Sequence, residues 1–125
     1  MHATRCLSLA VLNDGKSVFA GYSDATLRKW DFDSGNCTLH SQKSKKADCQ
    51  IWKVKLFESV EENVIVAGDS SGELTLWDPD HGTLIKTFKQ LQADILTIEV
   101  NPATKTIYAS GVDARVLTIQ LAADK

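Results

Sequence analysis

Ala67 to Asp78 reads AGDSSGELTLWD, and the pattern recurs twice more in the same chain. Ala20 to Asp31 reads AGYSDATLRKWD and Ala109 to Gln120 reads ASGVDARVLTIQ, and the three align without gaps. In each copy a small residue closes an apolar run, a polar turn follows, and an alternating run leads to a bulky apolar side chain. The bulky positions are Trp30, Trp77 and Ile119, spaced by 47 and then 42 residues. A period of roughly 40–45 residues holds four short strands, and a unit that small buries its faces only by stacking on a neighbour.

Outside the copies the same grammar continues. No window carries apolar residues at i, i+3, i+4 and i+7 between helix caps; short alternating or β-branched runs are separated by Asp, Gly, Asn, Ser and Lys. Strands are predicted at 6–12, 17–22, 26–31, 37–40, 50–57, 63–68, 74–78, 83–88, 94–100, 106–110 and 115–121. Asn13-Asp14-Gly15-Lys16, Ser34-Gly35, Ser71-Gly72 and His81-Gly82 supply residues that tolerate the positive φ of tight reversals. Pro79 and Pro102 fall between strands, where a missing N–H costs no ladder bond. The expected class is all-β.

Composition narrows the functions. The 125 residues are 43% hydrophobic and 24% charged with a formal charge of −2, so no global field draws the chain to nucleic acid or an anionic membrane. The apolar runs fall far short of the roughly 20 residues that span a bilayer. No apolar leader is expected at the N-terminus. Cys6, Cys37 and Cys49 are odd in number with no C-x-x-C, which points to reduced thiols rather than disulfides or a zinc knuckle. Asn36-Cys37-Thr38 matches a glycosylation pattern but, lacking a leader, is expected to be unmodified.

Few residues are candidates for reaction chemistry. Gly68-Asp69-Ser70-Ser71-Gly72 has the G-x-S-x-G spacing of a nucleophile elbow, which needs a strand-to-helix turn and a distant His. Here LTLWD alternates as a strand, and His81 follows within a few residues, so a turn between strands is the expected role. His2, His40 and His81 are isolated, with no metal-ligand spacing, and no phosphate cradle exists. No cofactor, metal, catalytic residue or small-molecule substrate is expected. Ser41-Gln42-Lys43-Ser44-Lys45-Lys46 sets Lys43, Lys45 and Lys46 in one connection, either as a solvated loop or as a basic finger for RNA phosphate or an acidic partner.

Trp30-Asp31 and Trp77-Asp78, at the ends of their copies, resemble the WD-repeat family. That resemblance implies a β-propeller whose four-stranded antiparallel blades run outward, strand a to strand d, from a central channel. It maps blades to about 4–40, 49–89 and 93–121 in a single partial propeller over 1–125: two complete blades and a third without its outer strand, too few to close a ring. It also implies that the turns between strands b and c share one rim with the connections between blades. Asp24 and Asp113 take the family's turn-Asp position, whereas Lys46-Ala47-Asp48 and Gln92-Ala93-Asp94 stand where it has Gly-His, and Ile119 replaces the third Trp. Apolar packing must then carry more of the blade.

Within that family, the basic lead-in to Cys49-Gln50-Ile51-Trp52-Lys53-Val54 and the run AGDSSGELTLWDPDHGTLIKTFKQLQADILTIEV are similar to the Cirhin proteins. The resemblance implies a nucleolar scaffold of the small-subunit processome, acting with other protein subunits near the nascent rRNA precursor, away from any membrane. The competing expectations are a general WD-repeat adaptor in signalling, trafficking or ubiquitin ligation, and an enzyme using Ser70.

Overall fold

The computed structural model describes residues 4–43, 49–58 and 63–121. Eleven strands succeed one another: β1 (Cys6–Val11), β2 (Ser17–Tyr22), β3 (Thr26–Asp31), β4 (Cys37–Gln42), β5 (Ile51–Glu58), β6 (Asn63–Asp69), β7 (Leu74–Trp77), β8 (Leu84–Phe88), β9 (Ile95–Asn101), β10 (Thr106–Gly111) and β11 (Leu117–Gln120). They form three antiparallel meanders, β1-β2-β3-β4, β5-β6-β7-β8 and β9-β10-β11. The all-β partial propeller is therefore present, as sheets of four, four and three strands. Each predicted strand has its counterpart. The ends differ by up to two residues: β4 continues to Gln42 because Ser41 and Gln42 pair with Leu27 and Thr26.

The register shows why the twelve-residue copies recur. Trp30 pairs with Val18, Trp77 with Ile65 and Ile119 with Ile107, each twelve residues back. Irregularities repeat as well. The first two strands of every sheet slip at the same place, between Cys6 and Ser8, between Ile51 and Lys53, and opposite Ser110 and Gly111. A second slip precedes Trp30 and Trp77. A bulge re-aims side chains and adds twist, so its recurrence marks one unit built three times.

The Trp-Asp signature ends its strand by a definite mechanism. The Asp31 carbonyl accepts the Gly35 N–H at 2.9 Å and the Asp78 carbonyl the Gly82 N–H at 2.7 Å. Gly35 and Gly82 take φ of 71° and 68°, a region that costs side-chain-bearing residues strain. The carboxylates accept the next amides, Ser34 N–H on Asp31 and Asp80 N–H on Asp78, both at 2.9 Å.

The second sheet lies between the others, and its alternation shows it. In β6, Ile65 and Ala67 join Phe19, Leu27, Ile51, Val54 and Trp77 in one apolar cluster with the first sheet. Their neighbours Val64 and Val66 join Leu74, Leu76, Ile95, Ile98, Ile107 and Ile119 in another with the third. Successive residues point to opposite faces, so one strand feeds two cores. Each fully buried Phe, Leu or Ile adds about 1.5–3 kcal/mol over its exposed state.

Candidate functional site

Hydrogen bonds at one end of the sheets assemble the rim shared by the b–c turns and the connections between blades. The turns after β2, β6 and β10 meet the segments leading into β1, β5 and β9: Ser23 N–H bonds Arg5 O (2.9 Å), Ser70 N–H bonds Gln50 O (2.9 Å) and Val112 N–H bonds Asp94 O (3.0 Å). Three equivalent bonds thus fix the height of three turns. The segment after β4 joins them, with the Lys43 N–H on Ala25 O at 2.8 Å.

Each turn carries a carboxylate with its own cation. Asp24 accepts the Thr26 hydroxyl at 2.5 Å, the Thr4 hydroxyl at 3.2 Å and the Arg28 guanidinium at 2.9 Å. Burial opposes its ionisation, yet these bonds together hold the carboxyl below its ordinary value. Arg28 also stacks 4.3 Å from the centre of the Tyr22 ring. The Arg115 guanidinium contacts Asp113 at 2.7 Å and holds that carboxyl well below the usual carboxylate range. Arg115 also reaches Gln90 O at 3.1 Å, tying the third sheet's turn to the end of the second sheet.

The second turn holds the tightest charge cluster of the rim. Asp69, fully buried, accepts at Oδ1 from Ser71 N–H (2.9 Å), the Ser71 hydroxyl (2.5 Å) and Glu73 N–H (3.2 Å). Its Oδ2 faces the Lys43 ammonium at 2.8 Å as an ion pair without aligned hydrogen-bond geometry. Glu73 approaches the same ammonium at 2.6 Å. Burial would lower the Lys43 pKa, but the facing carboxylates of Asp69 and Glu73 prevail and raise it. Lys43 therefore spends its charge joining two sheets. Lys45 and Lys46 lie outside the described residues, so the triple-Lys connection is represented here by Lys43 alone.

The two tryptophans sit away from that rim. Trp77 is buried between the first two sheets and donates its indole N–H to Thr75 at 2.8 Å. Trp30 occupies the same register position but is half-buried, on the first sheet's uncovered face, donating to the Tyr22 hydroxyl at 2.9 Å. Asp31 and Asp78 close the opposite turns. The structure thus gathers Asp24, Asp113 and Lys43 on one rim and leaves Trp30, Asp31, Trp77 and Asp78 inside or at the other end.

Ser70 is a turn residue between strands, not an elbow into a helix. Its hydroxyl accepts the Gln50 N–H at 2.9 Å, while His81 lies beyond β7 against Asp78 at 3.0 Å. Among the described residues, no group of three or more His, Cys, Asp or Glu is placed to hold a metal ion. Nor is any helix there long and apolar enough to cross a membrane.

Sequence reasoning passed over two contacts that shape this rim. One joins Lys43 to Asp69 and Glu73 of the next turn, whose carboxylates carry no local sign that they meet this ammonium. The other joins Trp52, whose indole N–H donates to Asp94 at 2.7 Å from the second sheet to the third. Trp52 and Asp94 both belong to stretches noted for their family likeness, and the bond between them supplies a physical role.

Comparison with known proteins agrees with this architecture. The chain is 30% identical over 119 residues to U3 small nucleolar RNA-associated protein 4 of Saccharomyces cerevisiae, covering 90% of this chain and 15% of that protein. It is 29% identical over 105 residues to the Schizosaccharomyces pombe protein of the same name, covering 80% and 14%. It is also 24% identical over 112 residues to WD repeat-containing protein 55 of Danio rerio, covering 90% and 28%. No protein-family model matches the chain. The chain spans less than a third of each of these relatives.

Proposed function

This chain is a WD-repeat protein, and on that premise we propose that it is a non-enzymatic scaffold of the small-subunit processome. In that role it supports rRNA processing and ribosome biogenesis in the nucleolus, through contacts with other protein subunits and with pre-rRNA. The observation that carries this reading is the 30% identity, across 90% of the chain, to a protein whose name ties it to U3 small nucleolar RNA. A shared propeller alone would not support it, because propellers host many activities.

The rim favours protein over RNA as the principal contact. Arg28, Lys43 and Arg115 each sit against a carboxylate, so the described turns offer RNA little unpaired positive charge. The blade bounds of about 4–40, 49–89 and 93–121 belong to the same proposal.

Purification of the tagged protein from cells tests the reading. Enrichment of U3 small nucleolar RNA and rRNA precursor over a WD-repeat control, with nucleolar fluorescence, is the expected result. A cytosolic distribution with neither RNA enriched overturns it and leaves a general WD-repeat adaptor as the better account.

A further inference from the structure

The outer strand of the second sheet leaves one edge of its backbone free, and its side chains differ from those of its counterpart in the first sheet. β8 ends the order β5-β6-β7-β8, and the succeeding strand, β9, belongs to the third sheet. In an antiparallel pair alternate residues turn their N–H and C=O groups away from the partner, so this edge can hydrogen-bond a further strand. The equivalent strand β4 presents Cys37, Thr38, His40 and Gln42 to solvent. Matching registers place Leu84 with Cys37, opposite Trp77 and Trp30, and Lys86 with Leu39, opposite Leu76 and Lys29. Leu84 and Ile85 are 51% and 54% exposed, so β8 is apolar where β4 is small or polar.

Charge distinguishes the edge further. Lys86 is exposed, its ammonium standing 5.2 Å from the centre of the Phe88 ring, and among the described residues it meets no carboxylate. Lys89, 72% exposed, comes only within 3.8 Å of Glu73. Arg28, Lys43 and Arg115 on the rim each lie within 2.9 Å of a carboxylate. The rim neutralises its own cations, whereas the β8 edge leaves Lys86 without a counter-charge.

We propose that the free edge of β8 takes an extended acidic segment of a partner protein as a fifth strand, main chain to main chain. Apolar residues of that segment cover Leu84 and Ile85, and carboxylates three residues apart meet Lys86 and Lys89. A second copy of the chain fits poorly. Two β8 edges set antiparallel about their midpoint place Lys86 opposite Lys86, and like charges directly opposite are destabilising. A basic segment fails for the same reason. Lysine on an edge discourages unselective pairing, and here it selects the sign of the incoming strand. The edge belongs to the middle sheet. The assignment goes beyond the processome reading and holds whichever assembly the protein joins.

Two synthetic peptides of opposite sign, titrated into the isotope-labelled protein and followed by nuclear magnetic resonance, test this. The acidic probe is acetyl-Glu-Val-Thr-Glu-Val-Val-amide, and the basic probe has lysine in place of both glutamates. The acidic peptide is expected to shift the backbone amides of β8, from Leu84 to Phe88. The basic peptide is expected to bind about fivefold more weakly, the scale of two exposed ion pairs. Lys86→Glu combined with Lys89→Glu should reverse that preference, and Ile85→Ser should weaken the acidic peptide about threefold by removing exposed apolar contact. No binding of the acidic peptide at millimolar concentration, equal affinity of the two peptides, or shifts centred outside β8 overturns the proposal. The comparison of peptides uses the unaltered protein, so it decides the question even where a variant fails to fold.

Discussion

Lys43, just beyond the outer strand of the first sheet, holds its ammonium 2.8 Å from the buried carboxylate of Asp69 in the second. The contact couples the end of one repeat to the turn of the next. Its partners are almost wholly shielded, with side-chain exposures of 10% and 2%. Removing one member of such a pair leaves a charge without compensation, which typically costs about 3–5 kcal/mol.

Lys43→Ala is therefore expected to lower the unfolding free energy by about 3 kcal/mol in urea titration. Lys43→Ala combined with Asp69→Asn should cost less than the two single effects added together, since the second change removes the stranded charge. Additive losses would mean that the two side chains do not interact.

The two tryptophans provide an internal comparison. Trp77 is covered by a neighbouring sheet and Trp30 is not, although their registers match. Trp77→Ala should cost about 3–5 kcal/mol, as for large core truncations, and Trp30→Ala less than half of that. Equal losses by thermal or urea unfolding would contradict the stacking.

Gly68→Ala inserts a methyl 2.5 Å from Ile95 Cγ2 and 2.9 Å from its Cβ. Overpacking of this kind costs about 1–3 kcal/mol. Adding Ile95→Ala should cost less than the two single changes summed, because it vacates the space. A double-mutant cycle by urea unfolding reads the coupling.

Acid should weaken the fold by way of its turns. Asp24, Asp31, Asp78 and Asp113 all have folded-state carboxyls below the ordinary 3.8. Such groups stabilise the fold above pH 3.8 and lose that contribution as pH falls through their lower folded values. Lys43 acts at the other end: raised above 10.5, it stabilises below that pH, and the contribution disappears as pH climbs through the folded value. Urea midpoints are thus expected to decline below pH 3.8 and again above pH 10.5. A midpoint that rises as pH falls below 3.8 would contradict the carboxylate account.

The fold was legible because its determinants are local and repeated. A short continuous apolar run in NVIVAG, β-branched and aromatic residues in LTLW, Gly after each Trp-Asp, and prolines outside the strands identify strands without knowledge of their partners. The turn inside AGDSSGELTLWD sets Trp77 opposite Ile65 in the structure, a register the sequence alone did not assign. Contacts between sheets were far less visible. Lys43 with Asp69 and Trp52 with Asp94 join residues in different repeats, and no local spacing encodes such a meeting. Lys43 looked like one more loop cation because its neutralising carboxylates come from the following repeat.

The three repeats stand as stacked sheets, and nuclear Overhauser contacts from the Trp77 indole test that most directly. Cross-peaks from Trp77 to apolar side chains of the first sheet, such as Phe19 and Leu27, are predicted, together with contacts from Ile119 to the second sheet's Val66 and Leu74. A Trp77 indole that meets side chains of its own sheet alone, in a folded protein, would contradict it.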